Sequence, residues 1–370
     1  MSKKLKIGFV LDDTLDTPDG VQQYVLTIGE WMRLQGHDVH YLVGESYRTD
    51  IQNVHSLAKN IRVTFNKNRL SIPLPTNKKV IAKTLNKLQL DVLHVQMPYS
   101  PLFAGRVISA APNTVKIVGT FHIVPATWLE KTGAKSLQLI TKHTLKRFNS
   151  IISVSSAAQT FAKTVFGLDT IVIPNTVNLQ DFKHKPIYKS PLHIVFLGRL
   201  VERKGCEYFL KALSHLQTTY STVAPFNVTI AGKGPLLKRL QQYTLEHNLP
   251  MVTFAGFIDE KDKPALLASA DIAVFPSTGG ESFGIVLIEA MAAGSRVVLG
   301  GNNVGYKSVL GNNPSLLISP RDTAQFAQTL HKYIHSKKDR EMAYKWLQKQ
   351  KDTYDVGVVG TSILHIYGIK

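Results

Sequence analysis

Short apolar runs alternate with segments of helical periodicity along almost the whole chain, and this alternation limits the possible folds more than any other feature. Lys6–Asp12 has the length of a buried strand, and apolar residues then recur at helical spacing over Val21–Gln35. The next apolar run, Val39–Val43, is again strand-like. Because strands that alternate with helices form parallel sheets covered by helices, the pattern predicts an α/β fold.

The number of such runs predicts two sheets. Further strands are predicted at 92–95, 115–121, 151–154, 171–173, 192–197, 227–231, 252–255, 272–275, 297–299 and 316–318. A chain of 370 residues is also too long for one ordinary domain of roughly 150 residues. Regular periodicity lapses after Pro174, so we expect two doubly wound, Rossmann-like domains, 1–176 and 177–354, that face each other across a cleft. The helical segment 355–370 is expected to pack back on the first domain.

The net charge limits the classes of binding partner but does not identify one. Lys and Arg number 44 and Asp and Glu number 26, which gives a net charge of +18. Such an excess suits nucleic acid, an anionic membrane or a phosphorylated small molecule. The single cysteine, Cys206, excludes an intramolecular disulfide and an all-cysteine metal site. No apolar run has the length of a signal-peptide core or a membrane span, so we expect a cytoplasmic protein.

The strongest chemical signal is the run from Gly279 to Gly294, which contains two glutamates eight residues apart. Glu281 precedes a helix predicted over Phe283–Ala293, and Glu289 lies about two turns further on. The free N–H groups and positive dipole end of such a helix favour a diphosphate. Apolar neighbours surround Glu289, so its carboxylate needs a partner, such as ligand hydroxyls. The simpler alternative is a surface helix with two solvated acids.

Other polar groups follow predicted strands, where ligands bind in doubly wound sheets. Arg199 and Lys204 follow 192–197 at the head of a helix, and two cations suit a pyrophosphate without a metal ion. His122 ends 115–121, although histidines in general are more often structural. Gly20 opens the first predicted helix, where its N–H could approach a phosphate, but it could equally serve a plain turn.

Six segments in this order resemble the motifs of the retaining glycosyltransferases of family 4, which have the GT-B fold. The wider chain is similar to the bacterial phosphatidylinositol mannosyltransferases. The six segments are Pro18–Gln22, Gly119–His122, Ile173–Asn175, Gly198–Gly205, Gly280–Gly294 and Tyr354–Asp355. Two positions depart from the family pattern: Asp19 replaces the first glycine of Pro-Gly-Gly, and Thr176-Val-Asn178 replaces Gly-Val-Asp.

The resemblance implies roles for individual residues. Arg199, Lys204 and the amide of Gly20 would hold the donor diphosphate. Glu289 would bind the nucleotide ribose and Glu281 the sugar hydroxyls. The donor site would also include Ser282, Phe283, Gly284 and Ile285. Gln22 and His122 match positions near the acceptor, and His122 would orient a reacting hydroxyl rather than act as a nucleophile. His122, Glu281, Arg199 and Lys204 are therefore the predicted catalytic residues.

The resemblance also implies a reaction. A hexose, with mannose from GDP-mannose favoured, would be transferred with retention to a phosphatidylinositol-like or other lipid at the cytoplasmic membrane face. No cofactor is expected: Asp12, Asp13 and Asp16 could hold a divalent ion, but cations and helix ends already suit the diphosphate. Three alternatives are a UDP-sugar-dependent transferase with a soluble or glycan acceptor, a nucleotide-sugar epimerase, and a non-catalytic basic protein that binds membranes or nucleic acid. No nucleic-acid motif accompanies the charge, so nucleic acid is not an expected partner.

A second basic feature is a helix predicted over Thr76–Gln89 with Thr76 as its N-cap. Ile81, Leu85 and Leu88 line one face, and lysines line the other. Arg62, Lys67 and Arg69 add positive charge nearby. A solvated face is the simple explanation, but with the net charge and the resemblance we predict contact with an anionic membrane surface. The predicted membrane-contact residues are Lys78, Lys79, Lys83 and Lys87.

Overall fold

The computed structural model describes residues 3–17, 19–65, 68–74, 76–122, 138–183 and 190–369, with 62–72 described by their backbone alone. Pro18 and Lys67 of the predicted features lie outside the described residues, as do the side chains of Arg62 and Arg69. The chain divides into two compact units, which we call unit 1 (Met1–Thr176 with Val356–Lys370) and unit 2 (Val177–Asp355). Each unit contains a parallel sheet, so the predicted α/β class is confirmed.

Unit 1 contains a seven-stranded parallel sheet of order β3-β2-β1-β6-β7-β8-β9 and an antiparallel hairpin of β4 and β5. The strands are β1 (Lys6–Leu11), β2 (Asp38–Val43), β3 (Val54–Ser56), β4 (Asn60–Phe65), β5 (Asn68–Pro73), β6 (Val92–Gln96), β7 (Lys116–Phe121), β8 (Ser150–Ser153) and β9 (Ile171–Val172). The helices are α1 (Gly20–Leu34), α2 (Lys78–Leu88), α3 (Phe103–Ala110) and α4 (Ser156–Phe166), and residues 138–145 are also helical. The sequence pattern predicted neither β3 nor the hairpin.

Unit 2 contains a six-stranded parallel sheet of order β12-β11-β10-β13-β14-β15. The strands are β10 (Leu192–Leu197), β11 (Phe226–Ala231), β12 (Val252–Gly256), β13 (Ile272–Phe275), β14 (Val297–Gly301) and β15 (Leu317–Ile318). The helices are α5 (Cys206–Thr219), α6 (Leu237–Glu246), α7 (Lys263–Ala268), α8 (Ile285–Ala293), α9 (Val304–Leu310), α10 (Thr323–His335) and α11 (Lys337–Lys351).

The last helix, α12 (Val356–Tyr367), belongs to the core of unit 1 rather than to unit 2. Its buried Val359 and Ile363 join the core cluster that β1 and the inner face of α1 form. Gly360 lies directly against the indole ring of Trp31 on α1, where a larger residue would not fit. The chain therefore leaves unit 1 after Thr176 and returns to it to complete its core.

Two predicted helix starts are wrong. The helix after Glu281 begins at Ile285 instead of Phe283, because Gly284 adopts φ +120° and cannot belong to a helical turn. Thr76 does not cap α2: the side chain of Asn77 accepts a hydrogen bond from the N–H of Lys79 and is the N-cap. In the part of the chain that the structure describes, no helix is both long and apolar enough to cross a membrane.

Candidate functional site

The predicted cations of unit 2 follow β10 at the carboxyl edge of the sheet. The Arg199 side chain is exposed, and among the described residues it forms no ion pair with an acidic group. Lys204 ends the short 3₁₀ turn Glu202–Lys204, which precedes α5 directly. Gly198 and Arg199 therefore come directly after the strand, and Lys204 lies beside the start of the helix, as the sequence pattern predicts.

Gly205 explains how the Lys204 turn approaches the neighbouring loop. This glycine has φ +77°, and a Cβ here would overlap the carbonyl oxygen of Pro276, which follows β13. The turn is held in place by the Thr278 N–H, which donates to the Arg203 carbonyl over 2.8 Å. Two loops at the carboxyl ends of adjacent strands are thereby joined.

This junction brings Glu281 to two cations. Its Oε1 lies 2.8 Å from the guanidinium of Arg203 and 2.7 Å from Nζ of Lys204, and it accepts a hydrogen bond of 2.9 Å from Ser277. The carboxylate side chain is only 14% exposed. Burial alone would raise the pKa of Glu281, but Lys204 and Arg203 outweigh it and hold the pKa below its ordinary value. Glu281 is therefore an ionised, buried acid at neutral pH.

Glu289 has a different partner from the ligand hydroxyls that its apolar surroundings suggested. Its Oε1 lies 2.7 Å from Nζ of Lys263 on α7, and both side chains are nearly buried. The ammonium also lies 2.6 Å from the half-exposed carboxylate of Glu260. Burial favours the neutral amine, yet the two carboxylates together hold the pKa of Lys263 above its ordinary value. The prediction that Glu289 contacts a ribose is not tested by this arrangement.

The remaining predicted donor residues form the start of α8. Phe283 is buried and its ring meets Tyr354 edge-on, with centroids 5.8 Å apart. Gly284 is the N-cap, and a side chain there would collide with the ring of Tyr306. Ser282 precedes this pair, and Ile285 is the first helical residue. The backbone N–H groups of this first turn are of the kind that bind anions.

In unit 1, the predicted residues lie on the first loop and the first helix. Gly20 is exposed and opens α1, so its N–H is available at the positive end of the helix. Asp19 is the N-cap residue, but its side chain makes no capping hydrogen bond. Gln22 is only 3% exposed and lies on the buried face of the helix. The loop that carries the unusual Asp19 thus still ends in an ordinary helix start.

His122 follows β7 directly and is 6% exposed. Its Nε2 lies 2.6 Å from Oε1 of Gln96, the last residue of β6, and its ring meets Tyr24 of α1 edge-on at 5.0 Å. Burial lowers the pKa of His122 to about 3, so the imidazole is neutral at physiological pH. His122 can donate or accept a hydrogen bond, but it does not supply a positive charge.

The aspartates of the first loop are engaged within unit 1. Asp12 accepts hydrogen bonds from the Ser100 hydroxyl and, over 2.6 Å, from the Ala104 N–H at the start of α3. Burial raises the pKa of Asp12 to about 6. Asp16 accepts from the hydroxyl of Ser46 over 2.7 Å. Across the described ranges, no group of three or more His, Cys, Asp or Glu side chains is placed to hold a metal ion.

The lysines of α2 form an exposed basic face. Lys78, Lys79, Lys83 and Lys87 all lie on the surface, whereas Ile81, Leu85 and Leu88 are buried in the core of unit 1. None of the four pairs with an acidic side chain within the described part of the chain. This helix is therefore amphipathic as the sequence predicts, with its charge directed to solvent.

Three residues of these clusters were missed from the sequence. Arg203 lies next to a predicted cation, so the basic pair in the motif could have been read as a triad. Lys263 pairs with a glutamate 26 residues away, and no local pattern indicates it. Gln96 carries a signal that was available, because it directly follows the predicted strand 92–95, at the edge where ligands bind in such sheets.

Known proteins of similar sequence and fold indicate the family to which the chain belongs. Residues 178–350 match the family described as Glycosyl transferases group 1, and residues 18–181 match Glycosyltransferase Family 4. A phosphatidyl-myo-inositol mannosyltransferase of Mycolicibacterium smegmatis is 31% identical over 98% of this chain and 93% of its own length. One of Mycobacterium tuberculosis is 30% identical over 98% of this chain and 96% of its own. The crystal structure of Anabaena HepE in complex with UDP has a TM-score of 0.76 at 18% identity, covering 98% of this chain and 100% of that one.

The fold is thus that of a GT-B glycosyltransferase. The chain belongs to glycosyltransferase family 4, and the resemblance found in its motifs is confirmed. The assignment of roles to individual site residues stays a prediction.

Proposed function

We propose that this chain transfers mannose from GDP-mannose to a phosphatidylinositol-type lipid at the cytoplasmic face of the membrane, with retention of anomeric configuration and without a metal ion. The observation that carries the proposal is the near full-length similarity to proteins named phosphatidyl-myo-inositol mannosyltransferase, at 28–31% identity. The aligned region contains all of the predicted donor and acceptor residues, so the similarity is not limited to the fold.

The proposed donor site uses cations in place of a metal. Arg203 and Lys204 already converge on one carboxylate oxygen of Glu281, at 2.8 and 2.7 Å. A phosphate oxygen offers the same charge and hydrogen-bonding capacity, so the same two groups can hold a diphosphate once Glu281 turns to the sugar. Exposed Arg199 adds a third cation. Together they neutralise the charge that develops on the departing diphosphate.

In the proposed reaction, the bond between the sugar C1 and the diphosphate oxygen breaks and a new bond forms from C1 to the acceptor oxygen on the same face. The proton of the acceptor hydroxyl passes to the departing phosphate. The transition state resembles an oxocarbenium ion, so Glu281, as an ionised acid, stabilises it electrostatically while binding sugar hydroxyls. His122 orients a substrate hydroxyl through a hydrogen bond.

The lipid acceptor motivates the proposed role of α2. Its four exposed lysines, Lys78, Lys79, Lys83 and Lys87, offer unpaired positive charge among the described residues, and each basic group near an anionic membrane contributes about 1 kcal/mol. We propose that this face contacts the anionic membrane surface that contains the acceptor. The contact would place the chain where its substrate is, with no spanning segment needed.

A transfer assay tests the function. Purified protein is incubated with GDP-mannose, UDP-glucose or UDP-N-acetylglucosamine as donor. The acceptor is either phosphatidylinositol in vesicles or soluble inositol phosphate, and each reaction is repeated with EDTA. Of the three donors, we expect GDP-mannose alone to give a glycosylated lipid. EDTA should not change the rate of transfer, and NMR of the product should show the α-anomer. Transfer from a UDP-sugar or only to soluble inositol phosphate would replace the proposed donor or acceptor. Loss of transfer with EDTA would refute metal independence.

A further inference from the structure

Gln96 and His122 form a buried pair at the carboxyl edge of the unit 1 sheet. The two strands that carry them are parallel neighbours, with Gln96 beside Thr120 in the register. His122 lies two residues beyond Thr120, so both side chains point to the same face of the sheet. Gln96 is 1% exposed, and its Oε1 lies 2.6 Å from Nε2 of His122. The imidazole therefore has one fixed partner in the strand that precedes its own.

The partner determines which ring nitrogen carries the proton. The carbonyl oxygen of an amide can only accept, so Nε2 of His122 must be the protonated nitrogen. Burial keeps the ring neutral, because it lowers the pKa of His122 to about 3. A neutral imidazole that is protonated at Nε2 has a bare lone pair at Nδ1. His122 is then a hydrogen-bond acceptor at Nδ1.

His94, on the same face of the sheet, is a structural histidine with which His122 can be compared. It lies two residues before Gln96 on β6, and both of its ring nitrogens have partners: Tyr367 Oη at 2.6 Å and Thr120 Oγ1 at 2.7 Å. For His122, in contrast, Gln96 is the one hydrogen-bond partner found among the described residues. Its other nitrogen is thus available to a ligand.

The amide of Gln96 is itself incompletely bonded. Its Nε2 is buried and has no hydrogen-bond partner in the part of the chain that the structure describes. A buried amide with an unsatisfied donor destabilises a fold, and an apolar side chain would avoid this cost. The residue is therefore better explained by what its oxygen does to His122 than by core packing.

We propose that Gln96 is a positioning residue for sugar transfer: it holds His122 as the Nε2–H tautomer and so presents Nδ1 as the acceptor for a substrate hydroxyl. The second half of this inference rests on the proposed function, whereas the tautomer does not. Among the described residues, the titratable groups that face the pair are Tyr24 from α1 and His94 from β6, with Tyr367 of α12 behind His94. All of them are neutral at physiological pH, so none competes with Gln96 in setting the charge of His122.

The tautomer is measured directly in the ligand-free full-length protein. Protein labelled with ¹⁵N-histidine gives long-range ¹H–¹⁵N spectra that distinguish Nε2–H, Nδ1–H and imidazolium, and the His122 signals are those that vanish in His122→Gln. We expect the His122 ring to stay neutral and protonated at Nε2 from about pH 8 to about pH 5. An ordinary histidine, with a pKa of about 6.5, becomes charged over this range. In Gln96→Leu the proton should move to Nδ1, since a buried N–H facing leucine has no acceptor. A wild-type ring with Nδ1–H, as an amide turned the other way would impose, overturns the proposal.

The functional half is tested with Gln96→Glu. The carboxylate still accepts from Nε2–H but stabilises the imidazolium, so it raises the pKa of His122. Below the new pKa, transfer should fall about tenfold per pH unit, because the protonated ring cannot accept at Nδ1. At higher pH, transfer should return towards the wild-type rate. A loss of the same size at every pH would mean that Gln96 serves only structure and would overturn the proposal.

Thr120→Val is the matched control. It removes a hydroxyl from the same sheet face beside Gln96, but this hydroxyl bonds to His94 and not to His122. The His122 signals and the pH profile of transfer should stay as in the wild type, and a change in either would refute a specific effect of Gln96. If the wild-type protein transfers no sugar from any donor, the proposed function is refuted. The spectra then still test whether Gln96 holds His122 as the Nε2–H tautomer.

Discussion

At the residue scale, Glu281 pairs with the two cations that are proposed to hold the donor diphosphate, so we expect it to compete with that ligand. Its carboxylate draws Arg203 and Lys204 to one oxygen. We expect Glu281→Gln to lower kcat about 100-fold, since an oriented charge near the transition state is lost. The Kd for GDP should fall by up to about tenfold, because both cations lose a competing anion. Initial rates and titration calorimetry with GDP measure the two effects.

The control is Glu246→Gln on α6, which makes the same charge change at an exposed position of unit 2. Its kcat and its GDP affinity should match the wild type. If Glu281→Gln weakens GDP binding, the carboxylate assembles the cations for the ligand instead of competing with it.

The two glutamates also show how far residue-level prediction reaches. Apolar neighbours in the sequence correctly indicated that Glu289 needs a partner, because a buried carboxylate without one is costly. They could not indicate Lys263, which a different helix brings within 2.7 Å. Likewise the resemblance assigned both Lys204 and Glu281 to the donor site, but the role of Ser277 as hydrogen-bond donor depends on loop geometry that no spacing encodes.

At the element scale, the approach of two loops depends on Gly205. We expect Gly205→Ala to destabilise unit 2 by more than about 3 kcal/mol, because positive φ costs about 1–2 kcal/mol and the new Cβ would also overlap the Pro276 carbonyl. Urea unfolding measures the free energy. Gly256→Ala is the control in the same unit: its φ is +72°, but no atom lies within 4 Å of the new Cβ.

The difference in the free energy of unfolding between Gly205→Ala and Gly256→Ala measures the contribution of the close contact between the two loops. Gly256→Ala should show only the backbone cost of about 1–2 kcal/mol. Equal destabilisation by the two substitutions would mean that the Lys204 turn shifts freely away from Pro276, and that its position is not fixed by packing.

The basic face of α2 makes a second element-scale prediction. Replacing Lys79, Lys83 and Lys87 by glutamate should weaken binding to anionic vesicles at least about 100-fold, since each lysine contributes about 1 kcal/mol. Vesicle co-sedimentation at low salt measures it. The control replaces Lys338, Lys345 and Lys349, all exposed on α11. Each triple variant lowers the net charge by 6, from +18 to +12, so equal losses would mean that binding follows net charge instead of this helix.

Continuous apolar runs were predicted as strands, whereas the hairpin was missed and one helix start was misplaced. The buried parallel strands are continuous apolar runs, so β10 and β13 were predicted with the bounds that the structure has. The hairpin of β4 and β5 was missed although apolar residues occupy every second position of both strands, which is the pattern of a half-buried strand. The start of α8 was misplaced because the positive φ of Gly284 depends on its contact with Tyr306, which comes from a later helix.

At the scale of the whole molecule, acid should act first on unit 1, because it buries the neutral imidazoles of His94 and His122. Burial lowers the pKa of His94 and of His122 to about 3. The unfolded chain binds protons at these residues below about pH 6.5, whereas the folded chain does not, so stability falls as the pH falls from 6.5 towards 3. Asp12 acts in the opposite direction: its folded pKa of about 6 lies above the unfolded value, so protonation between about 6 and 3.8 stabilises the fold.

The three groups together predict a net loss. Between pH 7 and 5, the two histidines destabilise unit 1 by about 4 kcal/mol and Asp12 returns about 1 kcal/mol, at 1.36 kcal/mol per pKa unit. In unit 2, Glu281 has a lowered pKa, so its contribution is lost only as the pH falls below the ordinary glutamate range. Urea unfolding at pH 7 and 5 should therefore show a loss of roughly 2 to 3 kcal/mol confined to unit 1.

Tryptophan fluorescence separates the two units, because Trp346 is the single tryptophan of residues 177–355 and the other two, Trp31 and Trp128, precede residue 177 in the sequence. Trp346→Phe reports unit 1, and the double variant Trp31→Phe/Trp128→Phe reports unit 2. His94→Gln should reduce the loss in unit 1 from about 3 to about 1 kcal/mol, since half of the histidine contribution is removed while Asp12 still returns about 1 kcal/mol. If unit 1 is equally stable at pH 7 and 5, or if unit 2 loses stability first, these histidines do not carry the acid sensitivity of the molecule.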